Sequence, residues 1–278
     1  MAPHVLLVVL FSALLHAGWN ALVRSGADKF LSTLLVVVGA GVASLLLLPW
    51  LPVPHPSSWP FILASGLIHV LYFQLLALSY RNASLGVAYP VMRGLAPVLT
   101  ALLCVLLLGE RLAALAWSGV GLICGGILLL ALATLRQRQA RGAALGFAVA
   151  NACVIAGYTV VDGQGARASA HALSYTAWVF VLTAVFMLAL TLARRIPLPL
   201  KTSHLRVAAW GGLGSLASYS LVLWAMTQAP IALVAALREM SIVFAALIGV
   251  LFLKESPGRL QGVCVVLVCL GVMCLRLA

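Results

Sequence analysis

The feature that most constrains this chain is a series of apolar runs, each about the length that a helix needs to cross a bilayer. A transmembrane helix takes about 20 mainly apolar residues. Runs of this kind fill nearly the whole sequence and leave no gap long enough for a soluble domain. We predict ten spans, at 3–23, 31–50, 58–79, 85–107, 112–134, 143–161, 172–193, 205–227, 231–253 and 258–277.

Membrane-spanning strands do not fit these runs, because barrel strands are much shorter and alternate between apolar and polar residues. Only 8% of the residues are charged, whereas an average soluble domain has about a quarter. The predicted fold class is therefore an all-α polytopic membrane protein with ten transmembrane helices. We expect a multi-pass protein of a bacterial-type inner membrane.

The few charges are mostly basic, with 17 Lys and Arg against 5 Asp and Glu. In a soluble protein this excess would suggest nucleic-acid binding, but in a membrane protein Lys and Arg mark the cytoplasmic loops. The even-numbered loops and the termini hold only Arg111, Arg167 and Arg276. The odd-numbered loops hold Arg24, Lys29, Arg81, Arg136, Arg138, Arg141, Arg194, Arg195, Lys201, Arg206, Lys254 and Arg259. This asymmetry predicts that both termini lie outside the cytoplasm, and it implies no nucleic-acid partner.

The two halves of the chain resemble each other. Met92–Leu112 aligns with Leu237–Pro257 without a gap, and Ser12–Leu22 resembles Asn151–Val161. Five spans per half is an odd number, so the two halves would cross the membrane in opposite orientations. Such inverted repeats are typical of transporters that bind their substrate between the halves.

The repeats resemble the EamA-type branch of the drug/metabolite transporter superfamily. The resemblance rests on HAGWN at His16–Asn20, on RGLAPVLTALLCVLLLGERL at Arg93–Leu112 and on LFLKE at Leu251–Glu255. It implies ten helices in two inverted five-helix repeats, which we place at 1–137 and 138–278. It also implies a secondary transporter of small metabolites, often an exporter, and leaves the substrate open.

Two arginines lie inside predicted spans, Arg93 in the fourth and Arg238 in the ninth. An intramembrane charge is costly unless it is paired or faces water, and a guanidinium group suits a carboxylate, phosphate or phosphonate. Both are candidate substrate-binding residues, and a structural role is the alternative for Arg93. Glu239 is the one acid that we place deep within a span. It is either a proton-coupling carboxylate or the counter-ion of Arg238 or Arg93.

Aromatic, histidine and amide side chains complete the candidate binding site. His16 and Tyr72 lie at depths similar to that of Arg93, and Trp19 and Asn20 follow His16 on its helix. Aromatic walls with one or two arginines would suit a small anionic or zwitterionic solute, whereas packing or an interfacial belt is the alternative for each aromatic residue. The candidate substrate-binding residues are Arg93, Arg238, His16, Trp19, Asn20, His69, Tyr72, Tyr89, Tyr158 and Tyr219.

The remaining signals predict local structure. Glu110 and Glu255 are expected to be helix caps or loop ion pairs, and Asp162 is expected to end span six as a cap or turn. The pairs Gly121–Gly125 and Gly142–Gly146 are expected at close helix contacts. Six cysteines lie in apolar runs without disulfide or metal-site spacing, so we expect no metal and no cofactor.

The sequence thus predicts a secondary active transporter that moves a small polar metabolite by alternating access, with proton-coupled export as the expected mode. A permease for a phosphate or phosphonate compound is an alternative. A lipid flippase and a membrane-embedded enzyme are alternatives of other classes, although the sequence shows no catalytic constellation. The expected partners are the small-molecule substrate, the lipid bilayer and protons, and the expected state is a monomer or homodimer.

Overall fold

The computed structural model describes residues 1–25, 28–82, 85–137, 142–198, 202–254 and 258–278. All regular secondary structure in these ranges is helical. The helices are α1 (Pro3–Ser25), α2 (Lys29–Leu47), α3 (Trp59–Asn82), α4 (Leu85–Leu108), α5 (Ala114–Gln137), α6 (Gly142–Ala168), α7 (Ala172–Ala193), α8 (Thr202–Arg206), α9 (Gly212–Gln228), α10 (Ile231–Leu237), α11 (Met240–Leu253) and α12 (Arg259–Leu277).

Ten helical segments within the described ranges are long and apolar enough to cross a membrane, which confirms the predicted number. Span eight combines α8, a π-helical turn at Val207–Gly211 and α9. Span nine combines α10 and α11, which are separated at Arg238 and Glu239. Span six is longer than expected, because α6 continues to Ala168.

Large apolar side chains cover much of the surface. Leu7, Leu46 and Leu106 are 66%, 65% and 77% exposed, and each belongs to a different span. Exposed apolar side chains on so many helices are unusual on a soluble monomer, but they are the surface that hydrocarbon chains require. Together with the ten apolar helices, it identifies a multi-pass membrane protein.

The chain divides into two compact units by its contacts. The first unit contains Met1–Leu10, Leu71–Val160 and Ala229–Ala278, and the second contains Phe11–Val70 and Val161–Gln228. Each unit takes residues from both predicted repeats. The predicted boundary between the repeats, at residues 137 and 138, concerns the sequence repeat, and the grouping by contacts does not test it.

In the first unit α5 packs along α12 and against α4, and α10 packs against α4. Glycines bring α5 and α12 close together: a Cβ on Gly271 would lie 2.7 Å from the carbonyl oxygen of Gly119. The close contacts expected at Gly121, Gly125 and Gly146 do not occur within the described part of this chain, since a Cβ on any of them would meet nothing there within 4 Å. The spacing of glycines along a helix does not reveal which face meets a neighbour.

In the second unit α2 packs against α7 and α9, and α7 packs against α9. A reciprocal pair of hydrogen bonds fixes α1 beside α9. The Oγ of Ser12 donates to the carbonyl oxygen of Ser218 at 2.7 Å, and the Oγ of Ser218 donates to the carbonyl oxygen of Ser12 at 2.9 Å. Because both serines are buried, these bonds set the register of the turns that carry His16 and Tyr219.

Candidate functional site

The interruption of span nine places two charged side chains where the helix is not regular. The backbone N–H groups of Glu239, Ser241 and Ile242 donate to carbonyl oxygens three residues earlier instead of four. This tightening separates α10 from α11. An irregular helix at membrane depth is tolerated where it lines a cavity or is buried in protein, and transporters commonly build their sites at such breaks.

Arg93 and Glu239 form a buried ion pair in the first unit. The Nε of Arg93 lies 2.9 Å from Oε2 of Glu239, and the side chains are 9% and 4% exposed. The Nη2 of Arg93 also donates to the Oγ of Ser241 at 3.2 Å. Of the two counter-ions that the sequence allowed for Glu239, the structure pairs it directly with Arg93. Two charges this far from water are tolerated because each neutralises the other.

Arg238 and three tyrosines surround this pair. The charge of Glu239 interacts electrostatically with that of Arg238 as well as with that of Arg93. Tyr72, Tyr89 and Tyr158 lie within electrostatic reach of Arg93, and the rings of Tyr72 and Tyr158 meet edge to face with centroids 5.7 Å apart. The structure thus assembles six predicted residues in one unit, which we call the arginine–tyrosine cluster: Arg93, Arg238, Glu239, Tyr72, Tyr89 and Tyr158.

Asn151 is a polar residue that the sequence analysis missed as a site candidate. It is fully buried in α6, two helical turns before Tyr158 and hence on a similar face. Its Nδ2 donates to the sulfur of Met92 at 3.0 Å, and its Oδ1 has no hydrogen-bond partner among the described residues. An amide in the middle of an apolar span was the available signal.

The predicted residues of α1 lie in the second unit. The rings of His16 and Trp19 meet edge to face with centroids 5.0 Å apart. The Nδ2 of Asn20 donates to the carbonyl oxygen of His16 at 2.8 Å, so this amide is partly committed to its own helix. The indole Nε1 of Trp19 is buried without an acceptor in the described part of the chain. Trp19 therefore has a free donor, whereas Asn20 contributes to local helix structure.

The expectation for Asp162 is wrong. Asp162 does not end span six but lies within α6, six residues before the helix ends, and it is fully buried. The hydroxyl of Tyr175 donates to its Oδ1 at 2.9 Å, and the hydroxyl of Tyr219 donates to its Oδ2. The expectation that Glu239 is the only deep acid is wrong for the same reason. Gly163 and Gly165 suggested a helix end, but tyrosines from other helices stabilise the carboxylate inside the span.

Tyr219, which donates to this carboxylate, also contacts His69. Their rings contact edge to face with centroids 6.0 Å apart. The Nδ1 of His69 lies 2.9 Å from the carbonyl oxygen of Ser65 and 3.2 Å from its hydroxyl. The structure therefore places both predicted residues in the second unit, with Tyr219 bonded to Asp162 and His69 packed against Tyr219.

Glu110 caps a helix that is distant in sequence. Its Oε1 accepts from the N–H of Ile231 at 2.8 Å, and its Oε2 accepts from the N–H of Ala232 at 3.3 Å. These N–H groups open α10 and have no acceptor within that helix, and a carboxylate also complements the helix dipole. The predicted capping role is confirmed for Glu110, while Glu255 lies outside the described residues.

Metal-ligand geometry does not occur in the part of the chain that the structure describes. No three His, Cys, Asp or Glu side chains there come together as ligands would.

The comparisons with known proteins agree with this architecture. A sequence model described as the EamA-like transporter family matches residues 4–132 and 143–277. A protein named as a multidrug transporter, from Pseudomonas aeruginosa, is 39% identical over 64 residues. That alignment covers 23% of this chain and 58% of the relative, so the chain spans little more than half of the relative's length.

A solved crystal structure is similar over the whole chain. It covers 100% of this chain and 99% of its own, with a TM-score of 0.78 and 21% sequence identity. At this identity the likeness concerns the fold alone. The family match, which extends over nearly all of the sequence, is the decisive finding. This chain belongs to the EamA-like transporter family.

Proposed function

We propose that this protein is a secondary transporter that moves a small anionic or zwitterionic metabolite by alternating access, with the arginine–tyrosine cluster as its binding site. The observation that carries the proposal is the buried ion pair of Arg93 and Glu239 at the interruption of span nine. A charged pair next to a broken helix is the kind of element that can exchange partners when a solute enters.

The charges of the cluster favour a solute with one negative group. Two guanidinium groups and one carboxylate leave one net positive charge. A carboxylate of the solute would take two parallel hydrogen bonds from a guanidinium group, and an ammonium group of a zwitterion would find Glu239. The tyrosines add flat walls with hydroxyl groups at their edges, which suits a metabolite with both polar and apolar parts.

Competition between the solute and Glu239 for Arg93 would couple solute binding to proton binding. A solute carboxylate that binds Arg93 displaces Glu239, and the displaced carboxylate is then stabilised by a proton or by Arg238. Glu239 is thus the proposed coupling residue, and proton-driven export is the proposed mode. The predicted inverted repeat supports alternating access, since transporters built from such repeats work in this way. Spans five and ten, which would be equivalent in the two repeats, pack along each other in the first unit.

A phosphate or phosphonate compound is the second candidate, because two arginines contribute to the cluster. The partial relative named as a multidrug transporter adds an amphipathic drug-like solute as a third class to be tested. The family favours all of these transport activities over a membrane-embedded enzyme.

A ligand-stabilisation screen tests the binding site without knowledge of the direction of transport. Purified protein is heated with single amino acids, monocarboxylates, phosphonates or drug-like cations, and unfolding is followed by intrinsic fluorescence. A ligand at 100 times its dissociation constant stabilises the folded state by about 2.7 kcal/mol. We expect a carboxylate-bearing solute to raise the midpoint of the wild type.

Matched arginine variants make the screen specific. We expect the ligand-dependent shift to disappear in Arg93→Ala and Arg238→Ala, and to persist in Arg276→Gln, where an exposed arginine outside the cluster is neutralised. Equal ligand-dependent shifts in all three variants would exclude the cluster as the binding site.

A further inference from the structure

Asp162 is a second buried carboxylate, and the proposed function does not use it. It is fully buried in the second unit. Each of its oxygens accepts a hydrogen bond from a tyrosine hydroxyl, that of Tyr175 on one side and that of Tyr219 on the other. No cationic side chain in the described ranges forms an ion pair with it. An acid inside a membrane span without a cationic counter-ion is a candidate functional site.

The surroundings of Asp162 are built to admit these two hydroxyl groups. Gly165 follows it by about one turn of α6, and a Cβ at this position would coincide with the ring of Tyr175. Only glycine therefore lets Tyr175 reach the carboxylate. The ring of Tyr219 is held edge to face by Phe180, with centroids 5.9 Å apart, and by His69 on α3.

A chain of exchangeable groups leads from Asp162 to a histidine. The hydroxyl of Tyr175 interacts with that of Ser65, and the Ser65 Oγ lies 3.2 Å from the Nδ1 of His69. Each hydroxyl in this chain can both donate and accept a hydrogen bond. A histidine ring nitrogen can donate or accept a proton, and acid–histidine chains inside membranes serve as proton relays.

We propose that Asp162 is a proton-binding site and that His69, Ser65 and Tyr175 deliver its proton. The step conserves atoms and charge. A protonated His69 gives its Nδ1 proton to the Ser65 oxygen, Ser65 passes its own hydroxyl proton to Tyr175, and Tyr175 passes its proton to Oδ1 of Asp162. The products are a neutral imidazole, a neutral carboxylic acid and two unchanged hydroxyl groups. The proposal that this site drives transport rests on the proposed function. The proposal that Asp162 binds a proton does not depend on it.

The titratable and charged groups around Asp162 are few in the described part of the second unit. Tyr175 faces it from α7 and Tyr219 from α9, and His69 lies beyond them on α3. On its own helix, Arg167 donates from Nε to a backbone carbonyl oxygen of α9 at 2.8 Å. A change of protonation at Asp162 would therefore act first on two tyrosines that hold α7 and α9 to α6.

Infrared difference spectroscopy tests proton binding without any substrate. The protein in lipid is brought stepwise from mildly alkaline to acidic pH. A buried carboxyl group that gains a proton produces a carbonyl stretching band that the carboxylate lacks. We expect this band in the wild type and its loss in Asp162→Asn.

Asp28→Asn is the matched control for the change from acid to amide. Asp28 is exposed and caps α2 through a bond from the N–H of Leu31 at 3.0 Å, and asparagine caps a helix equally well. We expect the band to persist in this variant. An unchanged band in Asp162→Asn, or no such band in the wild type, would overturn the proposal.

Tyr175→Phe decides the question if Asp162→Asn does not fold. Removal of one hydrogen bond from the carboxyl group should shift the frequency of its carbonyl band, so a shifted band supports the assignment and an unshifted band overturns it. A protein that shows the band but is stabilised by no solute would contradict the proposed function alone, because the spectrum requires no ligand.

Discussion

The buried pair of Arg93 and Glu239 allows a quantitative prediction from the charges around it. At the observed separation of 2.9 Å, two unit charges attract by about 6 kcal/mol at an effective dielectric constant of about 20. Both side chains are more than nine-tenths buried, so solvent screens this attraction little. Removal of one partner from a buried pair costs about 3–5 kcal/mol, because the other charge stays behind without compensation.

Arg238 makes the two single substitutions unequal. In Arg93→Met, Glu239 still interacts with Arg238, so we expect a loss of about 3 kcal/mol, at the lower end of that range. In Glu239→Gln, Arg93 loses the carboxylate that it pairs with and Arg238 loses a favourable charge interaction, so we expect about 5 kcal/mol. The double variant should be less destabilised than the sum of the two, by about 2–3 kcal/mol.

Reversible unfolding by denaturant in mixed micelles measures the free energy of unfolding of the wild type, the two single variants and the double variant. The fluorescence of the 7 tryptophans is the signal. The free energies form a double-mutant cycle, in which the departure from additivity is the coupling energy of the pair. Losses that add within about 0.5 kcal/mol would refute the direct pair. A greater loss for Arg93→Met than for Glu239→Gln would refute the role assigned to Arg238.

Two further predictions concern the close contact at Gly165 and the helix cap at Glu110. Gly165→Ala places a methyl group in the ring of the tyrosine that bonds Asp162, so it should destabilise the protein by about 1–3 kcal/mol in the same titration. Gly157→Ala on the same helix meets open space and should stabilise by up to about 1 kcal/mol, and equal effects would contradict the packing described. Glu110→Gln keeps an acceptor for α10 but removes the charge at its N-terminus, so we expect a loss of about 0.3–1 kcal/mol that shrinks in high salt; no salt dependence would contradict the capping account.

The ten spans follow from the sequence because the length of an apolar run is a local property. Each run is long enough to cross a bilayer by itself, independently of the helices around it. The same reasoning failed at Asp162, where an acid followed by Gly163 and Gly165 is typical of a helix end. Tyr175 and Tyr219 stabilise that carboxylate from 13 and 57 positions away, and a local pattern does not contain contacts of that kind.

The candidate site was only partly accessible to sequence reasoning. The position of Arg93 and Glu239 inside apolar runs was enough to single them out, since buried charges are costly. The interruption of span nine was not foreseen, because neither proline nor glycine marks it and Arg238 and Glu239 look like two charges on a continuous helix. Asn151 was missed because one amide in an apolar run carries no indication of what lies opposite.

Solute counterflow in proteoliposomes tests whether the arginine–tyrosine cluster binds the transported solute. Vesicles loaded with the carboxylate-bearing solute identified by the stabilisation screen are diluted into a trace of the labelled solute, and its uptake is followed. We expect uptake by the wild type and by Arg276→Gln, and none by folded Arg93→Ala or Arg238→Ala. Normal counterflow by both cluster variants would contradict this expectation.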